Sequence, residues 1–509
     1  MSSFAIFFQS IATICTTPKF LLLIIVFTAI GILCGALPGI SVNMTLILAL
    51  PLTYSMNTET AMCVLMAAYV GAMSGGLISA ILLNIPGTGS SITTTFDGHP
   101  MAMKGEGEKA VGVGILTSFV GGGISFILLL IIAPIIAKFA MKFGPWEYFA
   151  IGIFSTTMII NVAGNDLIKG ILAAVIGMCF AVTGAAPVDQ VVRYNFGLHA
   201  LDGGITTSAL MCGMFAIPQI LKLAANTNST EGQIIKTGKM KGFGISFREY
   251  LSHWKNIIRS AVIGSYVGIL PGIGGSSASI MAYLTEKKLS KHPEKFGTGV
   301  VDGVIASETA NNACIGGAMI PMLSLGIPGS SSAAILMSAL TLHGIHCGPL
   351  AFTQSVNIIY FIFALCLVAN VCMLIIERGV LSGYIRVLTA PRRIIMVVVI
   401  LMCFLGAYCS RNNYTDAYIF VLGGVIGYVL QKRGFSIAPI ILGYILGGII
   451  EENLQRALSM SVGNFWDILT HPIAVVFLIV AVIAFSSSLI KAIRAARQAE
   501  AAETAESEE

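Results

Sequence analysis

Apolar runs long enough to cross a bilayer dominate this chain. They lie at roughly 18–36, 59–83, 110–136, 146–163, 166–186, 203–223, 257–275, 355–376, 392–409, 415–431, 436–450 and 471–490. A helix crossing hydrocarbon needs about 20 mostly apolar residues. Less regular apolar stretches at 41–56, 276–284, 304–326 and 331–345 add shorter or broken pieces. With no water in the hydrocarbon, helices satisfy their own backbone groups, so the runs predict an all-α polytopic membrane protein with about 12 or more membrane segments. Charge usage agrees: 10% of residues are charged and 56% hydrophobic, where a soluble domain carries about a quarter charged. The surface must itself be apolar, and the surroundings it fits are the lipid bilayer.

The net charge of +5 gathers at the ends of apolar runs, which speaks of topology and not of nucleic acid. The eleven cysteines are scattered singly, without CxxC or Cys/His spacing, so they predict neither disulfides nor a zinc site. Met1 to Thr17 carry no charge, unlike the basic start of a signal peptide, and read as an interfacial helix. The longest polar connection, 226–256, holds Lys236, Lys239, Lys241, Arg248 and Lys255, which places it in the cytoplasm. Lys491, Arg494 and Arg497 put the acidic tail 491–509 on the same side, as a frayed or disordered extension with little to bury.

That connection divides the chain almost in half, and the halves echo each other. Gly31-Ile32-Leu33-Cys34-Gly35-Ala36-Leu37-Pro38-Gly39-Ile40 aligns without gaps on Gly264-Ser265-Tyr266-Val267-Gly268-Ile269-Leu270-Pro271-Gly272-Ile273, identical at six of ten positions. Asn84-Ile85-Pro86-Gly87-Thr88-Gly89-Ser90-Ser91 matches Gly326-Ile327-Pro328-Gly329-Ser330-Ser331-Ser332, each preceded by a Gly-Gly pair. Asn165-Asp166 and Asp416, each opening a Gly-containing run as a helix cap, form a weaker third echo. The expected organisation is a first membrane repeat over 18–225, the linker 226–256 and a second repeat over 257–490, with the repeats inverted.

Pro-Gly at the end of an apolar run stops a helix, because Pro lacks the N–H and Gly tolerates positive φ. Small polar residues follow each stop. Ser41 and Asn43 follow Pro38-Gly39; Gly274, Gly275 and Ser276 follow Pro271-Gly272. Thr88, Gly89, Ser90 and Ser91 follow Pro86-Gly87, with Asn84 just before; Ser330 and Ser331 follow Pro328-Gly329. Such breaks expose half-helix N-termini beside hydroxyls, which attract carboxylates, while unwound carbonyls suit Na+. These residues form the candidate substrate site. For Gly31 and Gly35 close helix packing is the better reading.

Ser307, Glu308, Thr309, Asn311 and Asn312 make an oxygen-rich patch inside an apolar stretch. They could couple transport to a cation or a proton, or Glu308 could cap a helix start. Asp97-Gly98-His99-Pro100 reads as a polar turn, and Glu286 to Lys295 as a charged loop. HExxH, GxSxG, GxGD and Walker A signatures are missing, so the expectation is a transporter and no enzyme, with a polytopic enzyme or a channel as the alternative.

The blocks Gly35-Ala36-Leu37-Pro38-Gly39-Ile40, Leu83-Asn84-Ile85-Pro86-Gly87-Thr88, Phe96-Asp97-Gly98-His99-Pro100, Leu270-Pro271-Gly272-Ile273-Gly274, Ser307-Glu308-Thr309-Ala310-Asn311-Asn312 and Leu325-Gly326-Ile327-Pro328-Gly329 resemble the large membrane subunit of the tripartite tricarboxylate transporter family. The likeness runs from about residue 20 to 490, with the blocks in the family's order. It implies a permease of the bacterial inner membrane working with a small integral-membrane subunit and a periplasmic solute-binding protein. It implies a carboxylate substrate such as citrate, taken up on a Na+ or H+ gradient without ATP and without a cofactor beyond the coupling ion.

Overall fold

The computed structural model describes residues 3–37, 39–162, 167–225, 243–387 and 392–508. In chain order the helices are α1 Ser3–Thr16, α2 Pro18–Ala36, α3 Val42–Ala49, α4 Thr58–Leu83, α5 Ile92–Met101, α6 Gly107–Ala140, α7 Pro145–Val162, α8 Leu167–Ala181, α9 Thr207–Ala225 and α10 Phe247–Ser252. They continue with α11 Trp254–Ile269, α12 Gly274–Leu289, α13 Val301–Leu325, α14 Ser331–Leu342, α15 Ala351–Gln354, α16 Val356–Val387, α17 Arg392–Arg411, α18 Tyr414–Lys432, α19 Ile437–Met460 and α20 Pro472–Glu508. Two-residue strands, β1 Gly184–Ala185 and β2 Val192–Arg193, pair antiparallel in a small hairpin. Among the described residues six stretches are long and apolar enough to cross a membrane: Pro18–Ala36, Thr58–Leu83, Gly89–Ala140, Val356–Gly379, Ile437–Met460 and Pro472–Ile490. The fold is an all-α polytopic membrane architecture.

The chain forms two compact units, and each draws on both sides of the 226–256 connection. One comprises Met1–Met141 with Ser208–Val425, the other Lys142–Thr207 with Ile426–Glu509.

In the larger unit, α4 and α13 are enclosed on every side; the apolar window of α4 is 100% buried. A helix without a polar face belongs in a core. Lipid tails are as apolar as leucine, so helices associate in a membrane by close packing and hydrogen bonds. Here glycines supply the closeness. A β-carbon at Gly31 would lie 2.5 Å from the Ala68 carbonyl oxygen, and one at Gly35 would strike that of Ala72, so α2 lies directly on the α4 backbone. In the same way Gly264 abuts the Ala310 carbonyl, and a β-carbon at Gly268 would stand 2.7 Å from that of Cys314, seating α11 on α13. The packing reading of Gly31 and Gly35 is what their surroundings show. α6 crosses α13 through Gly121 against the Thr309 carbonyl and Gly316 against that of Ser125.

In the smaller unit α19 packs on α8, with Gly177 against the Ile440 carbonyl and Gly443 against that of Ala174. Trp146 and Phe149 pack with Ala457, Ile468 and Ala474, and His471 Nδ1 meets Glu147 Oε1 at 2.9 Å.

Several expectations are corrected. Asp97-Gly98-His99-Pro100 is no exposed turn but part of α5. Asp97 is buried, and it accepts from Tyr283 Oη at 2.9 Å and from the amides of Gly297, Gly299 and Val300 at 3.0, 2.7 and 2.8 Å. Its carboxylate is fully paired, which repays its burial. The charged loop starts later than expected: α12 continues through Glu286, Lys287 and Lys288, because Glu286 turns inward to pair with Arg259. The acidic tail continues α20 as helix to Glu508. Its Ala, Glu and Arg content disfavours a core but favours helix. Asp416 stands in the first turn of α18, while Asn165-Asp166, Pro38 and 226–242 of the linker lie outside the described residues.

Two outcomes follow. Gly443→Ala should lose about 1–3 kcal/mol of stability by overpacking, read as a lower unfolding temperature in detergent. Gly448→Ala, whose β-carbon meets nothing within 4 Å, should leave it unchanged. At the joint of α10 and α11, the hydrogen bond that His253 Nδ1 donates to Asp302 Oδ1 at 2.7 Å holds that imidazole above the ordinary histidine range. A raised histidine stabilises fully below its ordinary value, about 6.5, and the gain is lost as pH rises through the raised value. The destabilisation by His253→Gln should therefore be larger at about pH 5.5 than at about pH 9.

Candidate functional site

All four Pro-Gly segments interrupt helices, and corresponding positions adopt corresponding conformations. α2 stops at Ala36 and α11 at Ile269, and beyond them Gly39 (φ 95°) and Gly272 (φ 84°) take the left-handed turn. α4 stops at Leu83 and α13 at Leu325, capped by left-handed Asn84 (φ 54°) and Gly326 (φ 73°). Asn and Gly are the residues that tolerate this cap. The chain then restarts at α3, α12, α5 and α14. Ser41 caps α3 by accepting from the Met44 amide at 3.2 Å, and Ser330 caps α14 by accepting from that of Ala333 at 3.2 Å. The Thr88 amide donates to Ser91 Oγ at 3.2 Å, and Ser91 Oγ donates to the Thr88 carbonyl at 2.9 Å. Ser41, Ser91 and Ser330 thus serve the restarting helices.

Within each half the two breaks lie against each other. β-Carbons at Gly87 and Gly329 would strike the carbonyls of Gly35 and Gly268 respectively, and the Gly272 amide donates to the Gly329 carbonyl at 3.0 Å. Across the halves the restarting ends meet in pairs. Ser332 Oγ donates to Asn43 Oδ1 at 2.6 Å, joining the starts of α14 and α3. A β-carbon at Gly275 would lie 3.2 Å from Ser90 Cβ, and one at Gly89 would lie 3.3 Å from Ser276 Oγ, joining the start of α12 to the Gly89–Ser91 turn ahead of α5. Pro86, Pro271 and Pro328 sit in the same interruptions, Gly274 opens α12 with a φ of 68°, and Ser331 opens α14. Gln219 of α9, which the sequence did not single out, donates to the Gly39 carbonyl.

Glu308 stands well inside α13, so it caps no helix start; that alternative is corrected. It is wholly buried. Thr94 donates to one carboxylate oxygen, and Ser118 Oγ (3.2 Å) and Asn311 Nδ2 (3.5 Å) approach the other. Asn311 Nδ2 also reaches the Met73 carbonyl at 3.1 Å, and Asn312 Nδ2 the Glu308 carbonyl at 3.1 Å. Ser307 Oγ accepts from Thr94 at 3.3 Å. Four buried oxygens of the same two helices, Thr93 Oγ1 of α5 and Thr309 Oγ1, Asn311 Oδ1 and Asn312 Oδ1 of α13, have no hydrogen-bond partner among the described residues. No ion pair among those residues involves Glu308. A carboxylate with unsatisfied hydroxyl and amide oxygens is the donor set of a hard cation, and a His/Cys/Asp/Glu metal cluster is not found among the described residues. A β-carbon at Gly275 would stand 3.0 Å from Asn311 Oδ1, so Asn311 faces both the carboxylate and the α12 start.

Ser118 and a second buried acid, Glu377 beside Ser74, also escaped the sequence reading. Glu377 closes an apolar run next to Arg378, a pattern that reads as interfacial charge. Thr94→Val leaves a Glu308 oxygen short of a donor and should cost about 1–3 kcal/mol, read as a lower unfolding temperature. Adding Glu308→Gln should restore part of it, a non-additivity that a distant pair would not show.

The profile of the tripartite tricarboxylate transporter TctA family matches residues 21–442. The chain is 33% identical over 445 residues to an Agrobacterium vitis protein described as "Uncharacterized 52.8 kDa protein in TAR-I ttuC' 3'region", covering 87% of this chain and 88% of that one. It is 37% identical over 211 residues to a second from Agrobacterium vitis, "Uncharacterized protein in TAR-II ttuC' 3'region", covering 42% of this chain and 87% of that one. No solved structure matches. With its broken helices, its buried carboxylate and a match over most of its length, the chain belongs to the tripartite tricarboxylate transporter TctA family.

Proposed function

We propose that this protein is the large permease subunit of a binding-protein-dependent secondary transporter, importing a tricarboxylate such as citrate, or a related organic acid, on a Na+ or H+ gradient. The observation that carries the reading is Asn311, whose amide spans from the Glu308 carboxylate to the start of α12. A cation held by the Glu308 cluster and a carboxylate at the half-helix starts would share that residue as a wall. Each would offset the other's charge, which is the electrostatic basis of symport. The substrate anion would meet N-terminal amides of α12 and α5, with Ser90 and Ser276 beside them, and of α3 and α14, with Asn43 and Ser331. The coupling ion would be held by Glu308, Ser307, Thr309, Asn311 and Asn312.

The matched turns at Gly39/Gly272 and Asn84/Gly326, and the matched contacts at Gly87/Gly329, support reading 18–225 and 257–490 as two copies of one module. We take them as inverted, with about 12 or more membrane segments in all. Each copy would then contribute to both compact units. Family membership supports a small membrane subunit and a periplasmic solute-binding protein as partners, in the bacterial inner membrane. The basic residues of 226–256 and before the tail support a cytoplasmic C-terminus.

Uptake of labelled citrate into proteoliposomes, with the binding protein outside, should require an imposed Na+ or H+ gradient; gradient-independent accumulation would overturn the reading. Ser90→Ala with Ser331→Ala should cut uptake at least about tenfold with expression intact, the scale of a lost pair of substrate hydrogen bonds. Glu308→Gln should change the cation dependence of uptake, and an unchanged dependence would make Glu308 a packing residue.

A further inference from the structure

Among the described residues of the larger unit Glu377 is, with Glu308, an acid with no exposed surface, and the reading above makes no use of it. It lies on α16, seven residues after Asn370, on the face turned to α4 and α6. Asn370 Nδ2 donates to the Phe119 carbonyl at 2.8 Å, and Ser74 Oγ of α4 donates to Glu377 Oε2 at 2.9 Å. Glu377 Oε1 is buried without a hydrogen-bond partner among the described residues. No ion pair among those residues involves Glu377. The next residue, Arg378, is exposed and lies over the Phe243 ring, 5.0 Å from its centroid. The Glu308 carboxyl of α13 acts on Glu377 through space, while Cys372, five residues earlier on α16, has Cys15 of α1 beside it.

A carboxylate buried with one hydroxyl and no cation costs several kcal/mol. It therefore carries a proton or, when ionised, needs positive charge nearby. The surroundings decide between them. Glu308 is ringed by oxygens, as a metal cation needs; Glu377 has Ser74 Oγ alone, as a proton needs. The two acids are also joined. Ser74 follows Met73 on α4, and the Met73 carbonyl holds Asn311, which reaches Glu308.

We propose that Glu377 is a proton-exchanging carboxyl linked through Ser74, Met73 and Asn311 to the Glu308 cluster, so that a cation entering that cluster expels the Glu377 proton. The step balances. The cation adds one positive charge beside the Glu308 carboxylate; the O–H of Glu377 breaks, its electron pair stays on the carboxylate and the proton passes to water. The charge of the buried pair plus its ions is the same before and after. The proposal rests on the cation role given to Glu308 above, and by reciprocity acid should weaken cation binding.

The test is proton release on adding NaCl to purified, weakly buffered protein near neutral pH, followed with a pH indicator against choline chloride, with Na+ binding measured by calorimetry. The wild type should release up to about one proton per Na+ bound. Glu377→Gln, which keeps an oxygen for the Ser74 hydroxyl, should bind Na+ and release several-fold less. Undiminished release from Glu377→Gln overturns the proposal while leaving Glu308 as the cation site. No binding heat and no release in the wild type overturns both. If Glu377→Gln does not fold, Ser74→Ala decides: it should move the pH of half-maximal release, and an unmoved midpoint overturns the proposal. A residue that only fastened α16 to α4 would leave release untouched in every variant.

Discussion

Inside a bilayer every freed backbone N–H and C=O needs a partner from the protein. Four helix interruptions in one chain therefore demand a wall of protein around each, and this fold is arranged to supply it. α4 and α13, buried on all sides, form that wall. The glycines of α2 and α11 let the interrupted helices lie directly on them, and Gly87 and Gly329 let the second break of each half close onto the first. Larger side chains at these places would separate the helices and leave the breaks open to lipid.

Once enclosed, the breaks become useful. Each ends in a restarting helix whose first amides have no partner within the helix. Serines satisfy some of them: Ser41 and Ser330 cap their own helices. The restarting ends meet in pairs, at Asn43 with Ser332 and at Ser90 with Gly275 and Ser276. Glu308 stands one residue away from the second of these, through Asn311. A buried carboxyl thus stands beside the half-helix starts, and on the proposed function its negative charge would oppose an anion there until a cation intervened. Under the proposed ion-coupled function that frustration would serve symport, since either ion alone would bind poorly and both together well.

Much of this was readable in the residues. The apolar runs marked where helices lie, since their lengths report the thickness of hydrocarbon, and the Pro-Gly motifs marked where they stop, since proline and glycine act on their own backbone. The pairing of Asn84 with Gly326 was visible as an alignment and came out as a shared left-handed turn. Charge in the sequence does not mean exposure in the fold. Asp97 and Glu286 looked like loop residues, yet both are buried because distant partners, Tyr283 with the 297–300 amides and Arg259, satisfy them. Glu377 is buried in the same way, although the arginine next to it in sequence is exposed and lies over Phe243.

The sequence alone therefore determined the lipid setting, the helical class, the positions of the four breaks and the oxygen-rich patch around Glu308, all properties of neighbouring residues. Only the tertiary structure decided which breaks meet, that Thr94 and Ser118 close around Glu308, that Gln219 reaches Gly39, and that Ser74 binds a second buried acid. Those contacts join residues from about 180 to more than 300 positions apart in the chain. Local chemistry writes each partner, but the packing of α4, α6, α13 and α16 chooses the pairs.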